Sequence, residues 1–459
     1  MPRGGQTRDA TSRGGWRPAR WLLALLAVAI AVPMSAPPGS TNAQVKGGLA
    51  GAPFTRDVLP GGLVVLIEER PGSGLVAMEV AVLAGARYER DATAGAAPFM
   101  ERLLAAGTPT RPSRRDVLRA ITSRGGDVGV SVGWERLRLT AETAAEDFDV
   151  ALDLLSDMLL NSLFSRDRFE AERELILQDL AERRDNPSSY FGDVLYATVL
   201  GDPELRHLPA GSPEAVAGLT HDALLRFRAD HVVRGNTVIG VAGDVSRAEI
   251  LPKIAQAFAA LPPGPRQRPR PVPTAAPPRQ VSLALGSEQA NIGVGVRAPS
   301  ATAGERPALA IAVSLLGAGG QRLYQEIRDR RGLAYATGAG MLQMGDLGVL
   351  SASAGTDPAN TAEVLGLLHA ELARLREAPP SDEEVARAIA YYVNGQAVDL
   401  ETNSARAGDL TYRETLYGTA PPRDYFIGLL RGVRPADVYA VAQRYLTPDR
   451  LITVVLGPE

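Results

Sequence analysis

Leu139–Leu159, "LTAETAAEDFDVALDLLSDML", reads as a strand that ends in a polar turn and passes into an amphipathic helix. The same order returns at Leu350–Leu372, "LSASAGTDPANTAEVLGLLHAEL", with Leu154 and Leu155 matched by Leu367 and Leu368. Each copy is followed by a second helix, "SRDRFEAERELILQDLAERRDN" and "SDEEVARAIAYYVNGQAVDLET". Ser165 and Ser381 fit as their N-caps, with acidic residues in the first turn. Between the copies lies "LPPGPRQRPRPVPTAAPPR", too rich in proline for a ladder and suited to an extended, semi-rigid linker. The chain therefore divides into residues 44–260, a linker at 261–280, and residues 281–459, two halves of one duplicated fold.

Working outward, "LVVLIEE" and "LVAMEVAVLAGARYE" flank the turn "RPGSG" as a hairpin, and "GDVGVSV" with "ERLRLTAET" forms another. "NIGVGVRAP", "LAYATGAGML" and "GVLSASAG" supply strands to the second half. Strand pairs followed by helix pairs point to an α+β fold, each half an antiparallel β-sheet flanked by helices. "GAGGQRL" at Gly317–Leu323 lacks the Lys-Ser/Thr of a phosphate loop and follows a helix, so it reads as a helix stop.

Composition narrows the chemistry. The 459 residues are 45% hydrophobic and 22% charged, ordinary for a globular protein. Residues 1–43 hold five arginines against Asp9, a net of +4, which leaves −7 of the total −3 for the remainder. No nucleic-acid footprint is expected from that balance. There is no cysteine, which excludes disulfides, thiolate metal sites and a cysteine nucleophile. The basic lead, the apolar run Trp21–Val32 and the small residues up to Ala43 form a secretory leader pattern. That run is short of the roughly 20 residues of a membrane span. Cleavage after Ala43, export to a bacterial periplasm and no stable span in the mature chain are the expectations.

"GAAPFMERLLAAGT", Gly95–Thr108, carries the candidate chemistry. Positions 98 and 102 share one helix face. Two histidines there can grip a zinc ion, with the Glu between them as base for a metal-bound water. Here the slots hold Pro98, Glu101 and Arg102. The stretch resembles the active-site segment of the insulinase/pitrilysin family of zinc peptidases, the inverted-motif zincins. Gly85, Arg87 and Glu89 match that family's strand end; Gly95, Ala97, Phe99, Glu101, Gly107 and Thr108 match its helix. Both histidines of H-x-x-E-H are replaced. The family's third ligand, a Glu about 77 residues after the second His, falls on Asp179. Proline offers no lone pair, and arginine is a fixed cation without an acceptor. No zinc is expected in this chain. A buried ion pair between Arg102 and Asp179 is expected in its place. The four histidines, His207, His221, His231 and His369, form no ligand pair and fit surface or capping roles.

The resemblance covers nearly the whole chain after the leader and implies half of a clamshell chamber. It also implies a role for "IRDRRGLAY": Arg328 and Tyr335 correspond to an Arg and a Tyr that face the metal across the chamber, bind substrate backbone and stabilise the tetrahedral intermediate. The leading reading is a non-catalytic subunit that lends Arg328 and Tyr335 to a homologous partner with an intact H-x-x-E-H and its zinc, acting on peptides or unfolded proteins. A peptide-binding module without proteolysis, and a zinc metalloendopeptidase with unusual ligands, are the alternatives.

Overall fold

The computed structural model describes residues 53–201, 207–273, 276–285, 288–299, 304–317 and 322–458; the leader at 1–43 lies outside them. The first half contains β1 (Phe54–Val58), β2 (Val64–Glu69), β3 (Leu75–Val82), α1 (Ala96–Leu104), α2 (Arg114–Thr122), β4 (Asp127–Val132) and β5 (Leu137–Ala144). It continues with α3 (Phe148–Asn161), α4 (Arg166–Arg184), α5 (Pro187–Leu200), α6 (Pro213–Gly218), α7 (His221–His231), β6 (Thr237–Gly243) and α8 (Arg247–Ala257). The second half contains β7 (Arg279–Ala284), β8 (Ala290–Pro299), α9 (Arg306–Gly317), β9 (Ala334–Gln343), β10 (Leu347–Thr356) and α10 (Thr361–Glu377). It ends with α11 (Asp382–Asp399), α12 (Asn403–Tyr417), α13 (Arg423–Arg431), α14 (Pro435–Tyr445) and β11 (Ile452–Gly457).

The strand orders repeat. The first sheet runs β1-β2-β6-β3-β5-β4 and the second β7-β11-β8-β10-β9, so β1 alone lacks a counterpart. Both sheets are antiparallel except for one parallel pair each, β2 with β6 and β7 with β11. Ser165 and Ser381 cap α4 and α11 by accepting the backbone N–H of Arg168 and Glu384.

Several expectations need correction. β2 and β3 are no hairpin: β6 lies between them and bonds to both. Their runs are buried along nearly their whole length, as central strands are, so two-residue alternation could not say which neighbour each takes. β3 also stops at Val82, and "GARYE" turns through a short 3-10 segment at Ala86–Tyr88. The linker is strapped down. Pro262 and Gly264 carbonyls accept from Arg234 and Gly235, Gln267 donates to the Asn236 side chain, and Arg270 and Arg87 bond reciprocally. Residues 279 and 280, assigned to the linker, open β7.

Packing crosses the sequence boundary in both directions. α5 of the first half lies on β8, β10 and β11 of the second, with Phe191, Val194, Leu195 and Val199 joining Val349, Ile452, Val454 and Leu456 in one core. α12 of the second half lies on β6, β3 and β2 of the first. Glycines allow both approaches. A Cβ on Gly240 would sit 2.5 Å from the Ala407 carbonyl oxygen, and one on Gly293 2.6 Å from the Phe191 ring. The α12 seam is also ionic. Glu79, 1% exposed, accepts from Arg138 at 2.6 and 3.0 Å and from the Thr411 hydroxyl. Glu68, fully buried, pairs with Arg406 at 2.5 Å and Arg423 at 3.0 Å.

Candidate functional site

α1 is held from its first turn. Gly95 takes φ +83°, and a Cβ there would press on the Ala215 backbone at 3.0 Å. The buried Glu89 carboxylate accepts the N–H groups of Gly95 at 3.0 Å and Ala97 at 2.7 Å. A carboxylate in that place satisfies orphan donors and complements the helix dipole. Pro98 is the third residue of the helix, where the missing N–H breaks no intrahelical bond. Phe99 stacks on Phe169 of α4, their centroids 4.6 Å apart, which seats α1 against the helix that carries Asp179.

The structure brings Glu101, Arg102 and Asp179 together. The Glu101 carboxylate accepts the Val132 N–H at the end of β4, 3.1 Å away. Burial pushes its carboxyl up to about 7, against the opposing pull of that bond and of Arg102 and Arg114. Arg102 donates to Asp179 and lies 3.3 Å from Glu172. Glu172, one face-repeat before Asp179 on α4, also accepts from Arg114 at 3.1 Å. Sequence reasoning passed over Glu172; its seven-residue spacing from Asp179 was the available signal. The Arg102–Asp179 pair is not buried as expected, because the Asp179 side chain is 59% exposed.

These residues do not fit a zinc ion. Of the three ligand slots one holds a proline and one a guanidinium, and the carboxylates of Glu172 and Asp179 already face that guanidinium. Among the described residues no group of three or more His, Cys, Asp or Glu is arranged to hold a metal. His207 and His231 are buried rather than at the surface, His221 Nε2 donates to the Phe164 carbonyl at 2.7 Å, and His369 is exposed on α10, as expected, beside Thr453.

Arg328 lies in the other half, on a π-helical turn at Tyr324–Asp329. Tyr335 is the second residue of β9; its side chain lies outside the described residues. Arg87, matched only by resemblance, proves to be a joint between halves. It is 2% exposed, pairs with Asp346 in the β9–β10 turn and Glu135 in the β4–β5 turn, and donates to the Arg270 carbonyl of the linker.

Residues 64–208 match the family described as Insulinase (Peptidase family M16), and residues 218–392 match the Peptidase M16 inactive domain. A protein of Mycobacterium leprae named as an uncharacterized zinc protease is 30% identical over 432 residues, covering 92% of this chain and 95% of its own. The chain belongs to peptidase family M16. A second relative, named as an uncharacterized zinc protease of Streptomyces coelicolor, is 29% identical over 428 residues, 91% of this chain and 92% of its own. Two solved structures share the M16 fold. A protease from Helicobacter pylori superposes with a TM-score of 0.80 at 20% identity, covering 89% of this chain and all of its own. A peptidase M16 inactive domain from Pseudomonas fluorescens gives 0.79 at 21%, covering 89% and 98%. No helix among the described residues is long and apolar enough to cross a membrane.

Proposed function

We propose that this chain is the non-catalytic subunit of a two-chain M16 peptidase in a bacterial periplasm. It lends Arg328 and Tyr335 to a homologous partner whose H-x-x-E-H helix holds zinc. One observation supports the reading above the others: the slot of the second histidine holds Arg102, turned onto Glu172 and Asp179. The helix, its cap and its seat on α4 are kept while the ligands are gone. A guanidinium and a phenol are donors that suit a peptide carbonyl and the negative charge that develops on it. The substrate class is peptides or unfolded protein, and residues 1–43 act as an export leader removed after Ala43.

Co-purification from the native host identifies the partner, and turnover of the complex tests the role. Arg328→Ala or Tyr335→Phe is expected to lower turnover by about 10²–10³ while the complex persists, the usual effect of losing one oxyanion donor. Glu101→Gln in this chain is expected to leave turnover unchanged. Normal turnover in both donor variants would reduce the chain to a scaffold. One equivalent of tightly held zinc with chelator-sensitive activity in the purified chain would overturn the reading.

A further inference from the structure

His369, Leu372, Ala373 and Arg376 follow one another on α10 at the three- and four-residue steps that align side chains on one helix face. All four line a cleft of about 410 Å³, within the roughly 300–1,000 Å³ of small-ligand sites. Its other walls are Leu446, Leu451 and Thr453, where α14 passes into β11, and Arg279 and Gln280, which open β7. The fold accounts for the opening. α10 and α14 lie over β8, and β7 stands two strands further out, at the edge of the sheet. Thr453 faces α10, its hydroxyl 3.5 Å from His369 Nε2, while its neighbours Ile452 and Val454 face the core shared with α5. Gln280 is the register partner of Thr453 and shares its face. The cleft therefore lies on the side of the second sheet away from α5.

The charges around it do not cancel. On α10, Glu371 is engaged by Arg374 at 2.7 Å, and Asp449, at the far wall, accepts from Thr447. Glu377 follows Arg376 directly and so points to another side of the helix. Arg279 and Arg376 form no ion pair among the described residues. The cleft thus joins two guanidiniums that lack a carboxylate to a floor of leucines, with the Thr453 hydroxyl and the Gln280 amide as further donors. A guanidinium fork matches a carboxylate in shape and charge, and the leucines match an alkyl chain. We infer that this cleft binds an amphiphilic anion, a carboxylate on a short alkyl chain, with the chain against Leu372, Leu446 and Leu451 and the head at Arg376 and Arg279. The inference stands apart from the reading of Arg328 and Tyr335.

The test is isothermal titration calorimetry of sodium octanoate into the full chain. A single molecule per chain is expected. Octanol, which keeps the alkyl chain, and inorganic phosphate, which keeps the charge, should each bind about tenfold more weakly or worse. Arg376→Gln should weaken octanoate roughly three- to tenfold, the effect of losing a partly exposed charged contact. Ala373→Phe fills the cleft from α10, leaves every charge in place and should abolish binding. Ala373→Leu repeats that measurement should the phenylalanine variant fail to fold. Arg431→Gln removes the same charge from an exposed site on α13 outside the cleft and should bind as the parent does. Octanoate that does not bind, or that binds undiminished when position 373 is filled, overturns the inference. Octanol equal to octanoate would leave an apolar patch, and phosphate equal to it a plain anion site; either overturns the amphiphile. Arg431→Gln weakening binding as much as Arg376→Gln would reduce the attraction to overall charge and overturn the site.

Discussion

Arg102 meets two carboxylates with one guanidinium, and their exposure sets what the contact contributes. Asp179 is more than half exposed and Arg102 about a fifth exposed. An ion pair so wetted contributes about 0–1 kcal/mol, well below the 3–5 kcal/mol lost when a buried pair is broken. Arg102→Ala is therefore expected to shift the urea midpoint only slightly, the more so because Glu172 keeps Arg114. A loss above about 3 kcal/mol would show that the pair is buried in solution. Glu101 behaves oppositely. Its carboxyl is raised from 4.5 to about 7, so its stabilising contribution is complete below pH 4.5 and lost as pH rises through about 7. Glu101→Gln keeps an oxygen for the Val132 N–H and never ionises. It should match the parent near pH 4.5 and exceed it by roughly 1–3 kcal/mol at pH 8, read from urea melts at both. At this scale the sequence was open to reading, because Pro98 and Arg102 exclude ligation by their own chemistry. That Glu172 shares a face of α4 with Asp179 was open too, from their seven-residue spacing; that this face meets α1 was not.

At the scale of elements, the glycines under α5 and α12 decide how close helix and sheet come. Gly240→Ala and Gly293→Ala each place a methyl inside contact distance and should cost about 1–3 kcal/mol in denaturant unfolding. Gly366, exposed on α10 with open space around it, is the control: Gly366→Ala should stabilise by about 0.5–1 kcal/mol. Glu79 ties β3 to α12. Burial works to raise its carboxyl, yet Arg138 and Arg136 together hold it below the ordinary value. Its contribution is therefore present above the unfolded-state value of 4.5 and is lost as pH falls through the lower folded one. Glu79→Gln leaves Arg138 and Arg136 without their charge partner and should cost about 3–5 kcal/mol near neutral pH. The caps Ser165 and Ser381, the β4–β5 hairpin and the strands β9 and β10 were legible because each is settled within a few residues. The insertion of β6 between β2 and β3 was not. It joins segments some 170 residues apart, and local patterning carries no term for a distant strand.

Taken whole, the molecule is two copies of one sheet topology that trade a helix each. The duplication could be read from Leu139–Leu159 and Leu350–Leu372, but the trade could not. An apolar face such as Phe191, Val194 and Leu195 announces that something covers it, and does not say from which half. The trade predicts how the chain responds to division. Residues 44–260 and 281–459 expressed separately should each be insoluble or unfolded, since each lacks a helix of its own core. The two pieces made together should recover a folded complex, seen as one peak in size exclusion and one cooperative thermal transition. A soluble, cooperatively melting fragment 44–260 would show that α12 is dispensable to the first sheet.

The exchange of α5 also sets a timetable for synthesis. Its apolar face leaves the ribosome with Leu200, but β11, the strand that lies between β7 and β8 beneath it, begins at Ile452. At about 5–20 residues per second the delay is on the order of tens of seconds. Through that interval the sheet that covers Phe191, Leu195 and Val199 is first absent and then, once β8 and β10 have emerged, still without β11, so the nascent chain is a natural client for a holding chaperone.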